Sequence, residues 1–306
     1  MSMAWVPMDP VEPSSTRSRI PLIFPDGPGE PAAGSGYRSG VRSMALLRGK
    51  DLALHSAAIT FYAGIAVVPV ALLAVWLTGL AVGADRVRQL TGRTIAALPD
   101  DIGAPHALSA LIDAGLGLTP MLALASLLPA TLYGEGLRRA FASIARPGER
   151  LVGWRGRVLW LPLLAAAPAL LLALLLALPT TSALWLRGGW WSVLGVVLSF
   201  LAVWLVLTPV VIWVFRYVAP GRPPWPATVL IGSFTAANLS GFLHGFVLFC
   251  SLPLDLGLPF GGFTVIGGVV AVGLWLYLFH VIVLTGFAAT RAVKDRSSED
   301  AAPIAR

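Results

Sequence analysis

Between Ser56 and Thr290 the chain is made of six long apolar runs that carry almost no charge. A helix that is apolar all round has no polar face to turn to water. Eighteen or more such residues are enough to cross the roughly 30 Å hydrocarbon core of a bilayer. The composition agrees: 57% of the 306 residues are hydrophobic and 12% charged, whereas soluble domains carry about 25% charged residues. So little charge cannot cover a water-facing surface of this size. The sequence therefore predicts an all-α, polytopic integral membrane protein, a six-transmembrane-helix bundle.

The spans are expected at about 56–82, 114–134, 158–178, 190–215, 227–250 and 262–290. Residues 1–40 are rich in Pro, Gly and Ser and lack the apolar core of a signal peptide, so they read as a disordered cytoplasmic tail. Residues 41–292 then form one membrane domain, and 293–306 a cytoplasmic C-terminal tail. The loop at 83–113 has room for two short helices, over Arg86–Leu98 and Ala107–Ala114. Trp185, Trp190 and Trp191 sit where an interfacial aromatic belt is expected.

Orientation follows from the basic residues. With these spans, 18 Lys and Arg fall on the side of the two tails and four on the other. The positive-inside rule places both termini in the cytoplasm, N-in and C-in. That placement explains the net charge of +7 as topogenic, with no nucleic-acid partner implied. The Arg bias of 20 to two Lys, with abundant Ala, Gly and Pro, fits a high-GC bacterial genome. The single cysteine, Cys250, rules out an intrachain disulfide or a cysteine-cluster metal site.

Function has to be sought in the polar residues left inside the runs. Ser233, Ala237, Gly241 and Gly245 recur every four residues, so they line one face of the fifth span. Small residues at that spacing let helix backbones approach closely; a substrate groove is the other reading. Asn238 and His244 share that span, and Tyr277 and His280 lie in the sixth. Ionisable groups at membrane depth are functional candidates, although a neutral histidine can simply bridge two helices. Two histidines with no acidic partner in the spans do not make a metal site. Glu135, Arg138 and Arg139, at i, i+3 and i+4, put the acid within reach of either arginine. They serve as a local salt bridge, or as a gate or patch for lipid phosphates, which suit arginine. Pro69, Pro129, Pro162, Pro168 and Pro209 fall inside four spans, and such breaks can expose backbone dipoles around a transport site. No Walker loop, H-E-x-x-H, C-x-x-C or G-x-S-x-G is present, so no enzyme activity and no cofactor are expected.

Several segments, taken in order, resemble the YihY/BrkB family of bacterial inner-membrane proteins. His55-Ser56-Ala57-Ala58-Ile59-Thr60-Phe61-Tyr62 through Val68-Pro69 is similar to its first-helix signature. Tyr133–Arg157 resembles its second-span exit and arginine-rich loop, Tyr217–Gly232 its approach to span five, and Gly286 its late glycine. The resemblance spans about residues 45–292. It implies six helices with both termini inside, a place in the bacterial inner (plasma) membrane, and a role in envelope integrity through transport or lipid handling. A non-transporting scaffold for envelope proteins is the alternative. The partners implied are membrane lipids and either a homo-oligomer or an envelope protein. Where the family often carries a glutamate near the end of span six, this chain has Ala288. Relatives once bore the label ribonuclease BN, which finds no cluster of metal-holding side chains here. His55, Tyr62, Pro69 and Tyr133 join the polar candidates through these matching segments.

Overall fold

The computed structural model describes residues 51–95, 104–145, 153–185, 187–250, 252 and 254–300. The predicted 1–40 tail lies outside the described residues, as does the end of the C-terminal one. Eight α-helices are described and no strand: α1 Leu52–Val82, α2 Ala84–Ile95, α3 Ala104–Leu116, α4 Pro120–Ala145, α5 Trp154–Trp185, α6 Trp190–Trp213, α7 Trp225–Cys250 and α8 Thr264–Asp300. A π-helical turn, Val214–Val218, extends α6, and a 3-10 turn, Leu258–Phe260, precedes α8. α1, α5, α6 with its π turn, α7 and α8 are each long and apolar enough to cross a membrane.

The second span departs from expectation. The run at 114–134 is not one helix: α3 and α4 meet at 119° across Gly117-Leu118-Thr119 and make up a sixth span only as a bent pair. The cause is local. Pro120 has no N–H to continue α3 and suits the first position of a new helix. Thr119 caps that helix through its hydroxyl, which accepts from the Leu122 N–H at 3.4 Å. The prolines, by contrast, break nothing. Pro69, Pro129, Pro162, Pro168 and Pro209 all lie inside continuous helices, as neighbouring helices allow in a membrane.

The two helices expected in the 83–113 loop are α2 and α3. Gly83, at φ 89°, turns the chain from α1 into α2 through a backbone region that disfavours a side chain. Val87 and Ile112 then bury with Val75, and Leu171 packs against them.

The large helices pack in the cyclic order α1, α4, α5, α6, α7, α8 and back to α1. Their outer faces are apolar and open: Phe61, Leu124, Leu205, Leu230, Phe234 and Val269 are all exposed. A surface like that belongs against lipid. Burial concentrates at one end, where α4, α6 and α8 finish and α5 and α7 begin. Phe141, Phe215 and Phe287 stack there with centroids 4.5–6.0 Å apart, and all three are fully buried. The buried residues of α7 all lie between Ala227 and Ser240, in its first two-thirds. This tightly packed end also holds Arg138, Arg139, Arg157 and Arg216.

Candidate functional site

The polar candidates converge on one stretch of α4, Tyr133 to Arg139. Glycines make that possible. Gly134 of α4 and Gly156 of α5 touch so closely that a Cβ on either would strike the other's carbonyl oxygen. Gly136 leaves room for the Tyr62 ring, and Gly153 lies against the Glu135 carboxylate. Close backbone approach of this kind holds helices together where no hydrophobic drive separates them from lipid.

It also sets Glu135 beside α5. The Glu135 carboxylate accepts from Arg139 Nη2 at 2.5 Å and from Arg157 Nε at 2.6 Å. Glu135 itself is buried, so two cations compensate one buried acid, as burial of a charge demands. Arg138 points the other way. Its Nη1 donates to the Val218 carbonyl at 2.8 Å, satisfying a carbonyl at the end of the π turn that has no partner along the helix. The sequence spacing allowed Glu135 either arginine; the fold gives it Arg139, adds Arg157, and sends Arg138 to the end of α6.

Tyr133 faces the interior of the bundle. Its hydroxyl lies 2.9 Å from His280 Nε2, and its ring packs edge-on to Trp160, centroids 4.9 Å apart. His280 is fully buried. Its Nδ1 sits 2.6 Å from the Leu276 carbonyl and 3.1 Å from Thr60 Oγ1. One proton arrangement accounts for these distances. Nδ1–H donates to the Leu276 carbonyl and is shared with Thr60 Oγ1, Nε2 accepts from the Tyr133 hydroxyl, and the Thr60 hydroxyl itself donates to Ser56 O at 2.8 Å. The imidazole thereby joins α1, α4 and α8. Tyr277, half-buried on α8, takes no part in these hydrogen bonds. On α1, His55 is half-buried near the N-terminus of the helix and Pro69 lies mid-helix.

His244 does a similar job between α6 and α7. Nδ1 is 2.8 Å from the Ser240 carbonyl and Nε2 3.0 Å from Ser199 Oγ. Beside it lies an open groove of about 650 Å³, lined by Phe200 of α6, by Phe234, Ala237, Asn238, Gly241, Phe242 and Gly245 of α7, and by Trp275 and Ile282 of α8. The small-residue face of span five therefore lines a groove and does not press on another helix of this chain. A Cβ at Gly241 would come no nearer than 3.7 Å to Phe200, and one at Gly245 no nearer than 3.6 Å to Trp275. Ser233, one turn before Ala237, only gives its carbonyl to Trp204 Nε1 at 3.0 Å. Asn238 is exposed and donates to Phe234 O. The close approach of α7 falls elsewhere. Gly286 of α8 meets Thr235, and Gly232 meets Ile212 of α6.

Thr60, Arg157 and the glycines 134, 136 and 156 were not among the candidate site residues read from the sequence. Gly134-Glu135-Gly136 was the signal that could have found part of them, because glycines flanking a lone acid mark a place where another helix must come close. Ala288, at the position of the absent glutamate, is fully buried in the apolar core with Phe287.

No curated protein and no solved structure matches the chain. Residues 45–305 match a family model described as Virulence factor BrkB. That match covers most of the chain, including every helix and polar contact described above, and so the protein belongs to the BrkB virulence factor family, the YihY/BrkB family.

Proposed function

We propose that the protein is an inner-membrane transporter or lipid-handling protein of the bacterial envelope, with both termini cytoplasmic. The observation that carries this reading is the unequal packing of the bundle. The arginine-rich end is closely packed among the described residues, through the three clustered phenylalanines, the Glu135–Arg157 pair and the Arg138–Val218 hydrogen bond. The groove along Gly241 and Gly245, in contrast, is shallow and open on the outer face of α7, beside the exposed Phe234. A closely packed end and an open outer groove suit an amphipathic substrate that enters from the bilayer with its acyl chain against the groove. The His280–Tyr133–Thr60 node gives three helices a common polar pivot at membrane depth, where such groups mark pathways.

Lipid flux in reconstituted vesicles tests the proposal, comparing wild type with Arg138→Ala, His244→Ala and Gly241→Leu. All three variants should slow flux, because they loosen the packed end, loosen the groove wall or fill the groove. Wild-type protein with no flux above empty vesicles refutes the reading. A scaffold is the second reading, and the same groove favours it, since a stripe of small residues can receive a partner helix. In that case Gly241→Leu abolishes crosslinking to a stoichiometric envelope partner and there is no flux to lose.

A further inference from the structure

The packed end contains a second cationic group that the Glu135 cluster does not use. Arg216 sits in the π turn. That turn is closed by the Ala219 N–H donating to the Val214 carbonyl at 2.8 Å. Turns of this type are rare, cost stability, and recur at functional sites. Here the turn presents the Arg216 side chain to two aromatic rings. Its guanidinium carbon is 5.1 Å from the centroid of Trp225 and 5.9 Å from that of Tyr217. Its Nε and Nη1 are buried with no hydrogen-bond acceptor. Glu135, the buried acid among the described residues of this end, is already shared by Arg139 and Arg157. Arg216 as a whole is half-buried, but buried N–H groups left without an acceptor are costly, and each calls for an explanation.

The surroundings point to what is missing. Arg222 follows at φ 39°, left-handed backbone that a side-chain-bearing residue adopts at some strain. Lys294 of α8 donates to the Gly221 carbonyl beside it, and Arg291 of α8 lies against Gly221. The loop is therefore held in place by cations, and the ring of Trp225 is half exposed. Tryptophan and tyrosine flanking an arginine at the end of apolar helices are the residues found at headgroup depth. A guanidinium's fork of N–H donors matches two oxygens of a phosphate, which the point charge of a lysine does not.

We infer that Arg216, framed by Tyr217 and Trp225, is the anchor of a phosphate-binding site at the arginine-rich end. The bound group is a phosphate oxyanion, supplied by a lipid headgroup or by free inorganic phosphate. This deepens the transport reading by giving the polar head of an amphipathic substrate a binding residue, and it rests on that reading only for its biological purpose.

The test uses the full chain, delipidated in a neutral detergent, with R216Q, R216K and R222Q. Native mass spectrometry measures retention of phosphatidylglycerol against phosphatidylcholine of the same acyl length. Thermal melts with and without inorganic phosphate, at matched ionic strength, run in parallel. R216Q should lower preferential phosphatidylglycerol retention by about tenfold, corresponding to about 1.4 kcal/mol. R216K should fall in between and R222Q should change it by less than about threefold, as an exposed cation acting only through screened charge. If inorganic phosphate protects wild type but not R216Q while lipid retention is unchanged, the site stands and its ligand is free phosphate. Retention by R216Q equal to wild type with no phosphate protection, or R222Q as damaging as R216Q, overturns the inference. Because binding is read without flux, protein that transports lipid but shows no Arg216-dependent binding sinks this inference alone. Protein that binds but does not transport sinks only the transport reading.

Discussion

Replacing Glu135 with alanine removes the acid that couples α4 to α5, and the structure sets the size of the effect. The Glu135 side chain is 9% exposed, Arg157 36% and Arg139 58%. A hydrogen bond to a charged group is worth about 1.5–3 kcal/mol when shielded from water, while an exposed ion pair is worth about 0.2–1 kcal/mol. The Arg157 arm, at 2.6 Å and the better shielded, should contribute about 1.5 kcal/mol. The Arg139 arm, mostly in solvent, should contribute about 0.5 kcal/mol. Glu135→Ala also empties the space where Gly153 rests on the carboxylate. The expected cost is therefore about 2–3 kcal/mol, with Arg157→Ala second and Arg139→Ala near the detection limit. Reversible unfolding in mixed detergent micelles, followed by circular dichroism, measures these differences. The double-mutant cycle between Glu135→Ala and Arg157→Ala should show coupling of about 1–1.5 kcal/mol. The reasoning is refuted if Glu135→Ala lies within about 0.5 kcal/mol of wild type, or if Arg139→Ala costs as much as Arg157→Ala.

Three other outcomes are expected. Tyr133→Phe should destabilise by about 0.6–1 kcal/mol, typical of one interhelical hydrogen bond in a membrane protein; a cycle with His280→Asn that shows no coupling breaks the proposed node. Gly286→Ala should cost about 1–3 kcal/mol, because its Cβ meets the Thr235 side chain, whereas Gly241→Ala should be neutral within about 0.5 kcal/mol. Equal effects at the two glycines, read from the same unfolding curves, contradict the assignment of the close helix contact. In a Cys250→Ala background, single cysteines placed by Ser15→Cys and Ala302→Cys should react with an impermeant maleimide only after the inner membrane is breached. Labelling of intact spheroplasts at either position reverses the proposed orientation.

How much was legible follows from the range of each signal. The spans could be read because a continuous apolar run is a property of neighbouring residues, and lipid selects for it directly. The misplaced second span shows the limit. Hydropathy averages through Gly117 and Thr119, while the bend is decided by Pro120 and its cap, a local signal that the window hides. Glu135 and its arginines were visible as charges at helical spacing. That Arg157 joins them, and that Arg138 leaves for Val218, depends on α5 and α6 arriving from 22 and 80 residues away.

The small-residue stripe makes the same point in reverse. Its four-residue period is real, but spacing cannot say whether a neighbour fills the face, and α6 and α8 leave it open as a groove. His280 and Tyr133, 147 residues apart, meet only because α4 and α8 are packed beside each other. The sequence by itself determined that this chain belongs in a bilayer as a bundle of apolar helices, because the solvent reads residues locally. Which helices touch, which arginine finds which acceptor, and why Arg216 is left without one were decided by tertiary packing, because in lipid those choices depend on the close fit of backbones and not on hydrophobicity.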